Sequence, residues 1–373
     1  MNNKTVYVLG AGFSKPAGAP LQNELVEDII NLRNENFSQQ DTIINKLNKF
    51  ENFLENQLFI DKANFKKVTL EDVFTPLDRC IIDNVSYRGI LPKKLKSLRE
   101  DIYNLIVVAL KERLDKNDNK GYIDDFAKII VSEAQKRVSN IKRDTISILS
   151  TNWDILLDNS LNSAIRTLYK KDSLIDGVVD YCCHVSSYDE HDHKIKPGLQ
   201  ALGEGKYNVK LLKLHGSMNW LQCTNCQRLY IKFNNKLVDY RRFGNSKCRH
   251  CRKNYNGNNY ALESNLIMPT FLKDLNNFQV KLIWQNAGIE LSEANKIVFI
   301  GYSLPYADFE LRQLLSRMVR HDAVIDVVLR EKDNLEENPT FKRYKDFFGK
   351  RQLNPLGNGV EPYIEELKIQ GLS

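Results

Sequence analysis

Three groups of residues have the types and spacing that chemistry requires. Asn152 and Asp154 follow an apolar, β-branched run at 145–149, and His215, with Gly216 and Ser217, follows a second run at 209–214. If those runs are neighbouring parallel strands, an amide, a carboxylate and an imidazole meet at one sheet edge. An imidazole there is suited to take a proton from a sugar hydroxyl near neutral pH. The second group is Gly10-Ala11-Gly12-Phe13-Ser14, directly after Thr5-Val6-Tyr7-Val8-Leu9. Gly10 and Gly12 remove side chains where a backbone would pass a pyrophosphate, and amides at a following helix start can face its charge. A tight turn without a ligand is the plainer account of the same two glycines. The usual dinucleotide fingerprint adds a third glycine and an acidic residue about 20 positions on. Residues 21–30 have a helical pattern instead, which argues against an ordinary dehydrogenase.

The third group is Cys223-x-x-Cys226 with Cys248-x-x-Cys251, two knuckles separated by 21 residues. Four thiolates at this spacing match a closed tetrahedral zinc site, structural because no coordination position remains for a substrate. Such a metal contributes folding energy on the order of 10 kcal/mol to a small module. His250 lies inside the second knuckle and is expected on the surface. Cys80, Cys182 and Cys183 read as small, partly buried thiols, and the run 189–193 (DEHDH) as a solvated loop.

The elements that must position these groups are legible from periodicity. Strands are expected at 5–9, 145–149, 209–214, 296–300 and 323–329, each leaving its carboxyl end into small or polar residues, where an open α/β sheet binds ligands. Between the first two, apolar residues such as Leu21, Leu25, Ile29 and Leu32 follow a 3.6-residue period, as do Leu95, Leu98, Ile102 and Ile106. The expected fold is therefore α/β. It is a Rossmann-like open parallel sheet (1–20 and 145–350) with a helical insertion at 21–144, a zinc module at 222–254 and a C-terminal arm at 351–373. The insertion would serve as a lid or an assembly surface.

The formal net charge of +7 is concentrated in the cysteine segment, where Arg228, Lys232, Lys236, Arg241, Arg242, Lys247, Arg249, Arg252 and Lys253 oppose only Asp239. Such a face would touch nucleic acid or an acidic partner, or simply be solvated. No apolar run is long enough to span a bilayer and the start does not read as a signal peptide, so a cytoplasmic protein without membrane contact is expected.

Taken in order, these motifs resemble the sirtuin superfamily. Gly10 to Ser14 with Ala17-Gly18-Ala19-Pro20 is similar to its GAGxS...AGxP signature, Thr151-Asn152-Trp153-Asp154 to its TQNID, and His215-Gly216 to its HG. The cysteine pairs are similar to its zinc ribbon and Gly301-Tyr302-Ser303-Leu304 to its GTSL. Residues 214–220 (LHGSMNW) and 301–308 (GYSLPYAD) bring the chain nearer to divergent bacterial sirtuin-like proteins. That resemblance implies NAD as substrate beside structural zinc, and cleavage to nicotinamide and ADP-ribose in anti-phage defence by NAD depletion. It also implies a homo-oligomer, in some members beside a DNA-translocating ATPase.

Carried over, Asn152 and His215 would be catalytic. Asn152 would orient the nicotinamide-side ribose and His215 would act as base or ribose-hydroxyl contact, while Asp154 would hold the carboxamide. Gly10, Ala11, Gly12, Phe13, Ser14, Thr151 and Leu304 would surround the dinucleotide, Gly12 and Ser14 serving its phosphates, with Gly301 and Ser303 towards the adenosine half. Deacylating members carry a PxFR segment and a peptide-pairing FGE strand; here Pro20-Leu21-Gln22-Asn23 and residues 266–270 (LIMPT) stand instead, which favours water as acceptor. Protein deacylation, ADP-ribosyl transfer, and a non-catalytic NAD- or ADP-ribose-sensing module that gates a partner are the alternatives.

Overall fold

A computed structural model describes residues 4–37, 40–117, 119–140, 144–171, 176–192, 194–233, 247–255, 259–268, 270, 273 and 275–370. The β-branched run Thr5–Leu9 forms strand β1, buried on both faces as parallel strands are. The other strands are β2 (Ile146–Ser150), β3 (Gly177–Asp180), β4 (Val185–Ser187), β5 (Tyr207–Lys213), β6 (Gly216–Cys223), β7 (Leu229–Ile231), β8 (Leu262–Leu266), β9 (Lys296–Ile300), β10 (Val324–Val328) and β11 (Leu353–Leu356). Seven of them make one sheet in the order β11-β10-β9-β1-β2-β5-β3, every neighbour parallel. The chain leaves β1 towards β2 on one side and returns to β9 on the other. Connections diverge there, opening a crevice at the carboxyl ends.

Packing assigns the elements to their layers. Helix Gly121–Gln135, expected within the insertion, lays Ile123, Phe126, Ile130 and Val131 into the core of the main sheet and belongs to that layer. The inserted helices proper, chiefly Leu25–Asn31, Gln40–Asn52, Leu70–Ile82 and Pro92–Asp115, share a second core. That core also takes in Ile155, Met218, Leu266 and Met268, so the insertion is welded to the β2 exit and to the smaller sheet. Within 351–373, expected as an arm, Leu353–Leu356 forms β11, the edge strand beside β10, and helix Val360–Gln370 buries Tyr363 and Ile364. Pro355 fits there because an edge strand tolerates a missing donor.

The smaller sheet, β4-β7-β6-β8, carries the cysteines and extends beyond the expected 222–254 module. Among the described residues no helix is long and apolar enough to cross a membrane.

Candidate active site

The first wall of the site is a contact between two loops. Gly10 N–H donates to Ile300 O at 3.0 Å and Gly12 N–H to Gly301 O at 2.9 Å, so the exits of β1 and β9 are tied together. A Cβ on Gly12 would lie 2.7 Å from Gly301 Cα, and one on Gly301, at φ +65°, would lie 2.0 Å from Phe13 N. These glycines are thus required by backbone approach within the protein, whatever passes in front of them.

The second wall follows β2. Thr151 donates both its N–H (3.0 Å) and its hydroxyl (3.2 Å) to Leu9 O. Asn152 then turns inward, its Nδ2 donating to Ser14 Oγ at 3.2 Å while its Oδ1 is buried without a protein partner. The Ser14 hydroxyl in turn bonds the carboxylate of Asp154, whose Oδ1 also accepts from Leu156 N–H at 3.1 Å. Burial pushes the Asp154 carboxyl up, an effect moderated by Lys213 and by the Ser14 hydrogen bond. Lys213 is itself fully buried, donating to Asp154 O at 2.5 Å and to Asp158 Oδ2 at 3.1 Å.

His215 follows β5, with its carbonyl held by Ile267 N–H at 2.9 Å. Its Nε2 is buried and lies 3.4 Å from Asp308 Oδ1, and the residue lines the cavity. Asp308 also contacts Lys273 Nζ at 3.1 Å and accepts from Tyr302 OH at 2.7 Å. Burial alone would raise the Asp308 carboxyl, but His215, Lys273 and the tyrosine hydroxyl outweigh it and hold the group well below the usual carboxylate range. Gly216, next in chain, has φ +75°, and a Cβ there would sit 2.0 Å from Asn265 O. Gly216→Ala is expected to cost about 2–4 kcal/mol, combining left-handed strain with overpacking; urea unfolding would measure it, and a change under about 0.5 kcal/mol, the range of an ordinary surface substitution, would contradict it.

These exits enclose a cavity of about 620 Å³, in the range that holds small molecules. Gly12 lines it after β1, Asn152 and Asp154 after β2, His215 after β5, Ser303 after β9, and Arg330 and Glu331 after β10; Ala11, Thr151 and Gly301 line it too. Four expected contacts lie elsewhere. Gly10 packs behind the loop against Tyr302, and Phe13 turns into the core beside Tyr122 and Phe126, its carbonyl accepting from Tyr122 OH at 2.6 Å. Ser14, expected at the phosphates, is buried and occupied by Asn152 and Asp154, so it positions them instead. Leu304 is fully buried, at φ +53°.

Sequence reasoning passed over Lys273, Asp308, Gln22 and Glu71 as site residues. The acid closing residues 301–308 could have flagged Asp308; the sequence around Lys273 has no periodic signal.

The four cysteine Sγ atoms lie within 4.8 Å of one another, with Cys223–Cys251 at 3.6 Å and Cys226–Cys248 at 3.7 Å. Tetrahedral zinc with bonds of about 2.3 Å needs ligands about 3.8 Å apart, whereas a disulfide needs about 2.05 Å. Backbone N–H groups of Asn225, Cys226 and Cys251 point at Cys223 and Cys248 Sγ, as suits thiolates. The donor set therefore fits a structural zinc ion. His250 is not among the converging groups. Burial pushes the Cys182 and Cys183 thiols up, leaving them unreactive.

The basic face is partly spent on structure: Arg249 donates to Ser187 O and Tyr188 O, both at 2.5 Å, and Arg228 to Ser186 Oγ at 3.1 Å. Lys236, Asp239, Arg241 and Arg242 lie outside the described residues, as does His193. Asp189 and Asp192 cap turns in their own polar loop.

Fold and site define an α/β protein with a ligand cleft at the switch point of a parallel sheet and a four-cysteine metal module. No family model and no curated protein matches the chain. The chain is similar to solved sirtuin structures. One from work on sirtuin substrate affinity has 14% identity and a TM-score of 0.38, covering 99% of this chain and 93% of that one. One from work on the mechanism and regulation of Sir2 enzymes has 12% identity and a TM-score of 0.40, covering 99% and 91%. A Sir2 complex with a p53 peptide and NAD has 13% identity and a TM-score of 0.37, covering 99% and 93%.

Proposed function

We propose that this chain cleaves the nicotinamide–ribose bond of NAD and passes the ADP-ribosyl group to water. The observation that carries this reading is the meeting of Asn152 and His215, from strands far apart in sequence, in one cavity at the switch point, with Asn152 Oδ1 buried and unpartnered. The ordered motifs that resemble the sirtuin superfamily supply the substrate.

In this reading Asn152 orients the ribose through that free oxygen, while Ser14 holds its amide and so sets which way the oxygen points. Asp154, kept towards its neutral form by burial, meets the carboxamide. As the C1′–N bond breaks, its electron pair leaves with nicotinamide and positive charge grows on the sugar. Positioning and fixed dipoles stabilise that charge. His215 accepts a hydrogen bond from a ribose hydroxyl and takes its proton as needed, while Asp308 fixes the ring from behind. Water is the acceptor in this reading because residues 266–270 (LIMPT) stand where deacylating members of that superfamily carry the peptide-pairing strand. The same resemblance supports a setting in phage defence by NAD depletion, with self-assembly and a DNA-translocating ATPase as partner.

Chromatography of nicotinamide and ADP-ribose, with protein alone and with phage lysate or DNA, tests the reading. Wild type is expected to form both products, and Asn152→Ala to form them at least about 10²-fold more slowly, as for a lost positioning contact. Intact NAD under every condition, with Asn152→Ala identical to wild type, would remove the proposal; nicotinamide release only with an acylated peptide would make the enzyme a deacylase.

A further inference from the structure

Helix Leu70–Ile82 starts at a capping box. Thr69 N–H donates to Asp72 Oδ2 at 2.9 Å and Asp72 N–H to Thr69 Oγ1 at 3.3 Å, which fixes the direction of the first turn. That turn places Glu71 in the wall of the cavity that holds Asn152 and His215. Gln22, from the segment after Pro20, lines the same wall and donates through Nε2 to Glu71 Oε1 at 2.6 Å, leaving Oε2 without a hydrogen-bond partner among the described residues.

The other carboxylates of the cavity are committed or distant. Asp308 is paired with Lys273 and His215. Asp154 accepts from Leu156 N–H and the Ser14 hydroxyl. Glu331 follows β10, three strands from β2 in the order β10-β9-β1-β2 and so about 14 Å away at the other end of the cleft. We propose, resting on the NAD-hydrolase reading, that Glu71 is the general base for the acceptor water, so that the helical insertion contributes a catalytic residue to the cleft.

The step balances simply. The C1′–N electron pair leaves with nicotinamide, the water oxygen bonds C1′, and one water proton passes to Glu71 Oε2 and then to solvent. The products are nicotinamide, ADP-ribose and H⁺. The charged groups facing Glu71 are Asp72 on its own helix and, across the cavity, Lys273 and Asp308, the latter in contact with His215. Burial raises the Glu71 carboxyl, outweighing the Gln22 hydrogen bond, which makes it a better proton acceptor than an exposed glutamate. Base catalysis requires its ionised form, so turnover falls as pH drops, at a higher pH than for an exposed glutamate.

In the full chain, Glu71→Gln is expected to lower kcat by about 10²-fold, with KM for NAD within about threefold, and to erase the acid limb of the kcat profile. Azide, an acceptor that needs no deprotonation, should restore nicotinamide release in this variant, a rescue that a merely structural role would not produce. Glu71→Asp keeps the charge and should retain intermediate turnover with its acid limb, which covers the case in which Glu71→Gln folds poorly. Wild type turning over NAD while Glu71→Gln matches it, or keeps its acid limb, would overturn this inference alone. Wild type leaving NAD intact under every condition would overturn the parent reading and this one with it.

Discussion

His215→Ala is expected to lower NAD turnover by about 10²-fold or more while shifting the unfolding free energy by only about 1 kcal/mol. The kinetic loss follows from position: the ring lines the same cavity as Asn152, and in the proposed reaction it meets a ribose hydroxyl. The small stability change follows from what remains. Asp308 keeps Lys273 at 3.1 Å and the Tyr302 hydroxyl at 2.7 Å, so no buried carboxylate is stranded. A variant that binds NAD, folds like wild type and turns over at wild-type rate would show that the imidazole does not reach the reacting sugar.

Stripping the metal should act in the opposite way, on the fold before the chemistry. Four thiolates at zinc spacing hold the far end of β6 and the helix Arg249–Asn254, and the loss of folding energy on the order of 10 kcal/mol would release both. His215 immediately precedes β6, so melting of the small sheet frees the imidazole and ends activity together with the thermal transition. The register keeps the metal away from the ring, since Gly216 and Cys223 pair with Leu266 and Leu262, four residues or about 14 Å apart along β8. Chelation or Cys248→Ser that abolished turnover with an unmoved thermal transition would make the metal catalytic and contradict the structural assignment.

The local chemistry of the cleft was legible in the chain. Asn152 and Asp154 follow a β-branched run and His215 a leucine-rich one, and a parallel strand ends in a loop at the sheet edge, so type and position could be read together. The cysteine pairs were legible for a similar reason, because x-x spacing sets the geometry of each knuckle within a few bonds. Ser14 shows where such reading ends. Its place in the glycine motif pointed at a phosphate, but Asn152, at the end of a strand 138 positions away, claims its oxygen.

Sequence alone determined the strand exits, the metal ligands and the residue classes at the sheet edge, because short-range backbone preference and spacing decide them. Only tertiary structure decided that Glu71 and Lys273 face the cleft, that Asp308 backs His215, and that the chain end supplies an edge strand. Those depend on contacts between segments tens to hundreds of residues apart, formed when two cores close on each other, and no local pattern encodes which of many similar carboxylates or lysines is drawn inside.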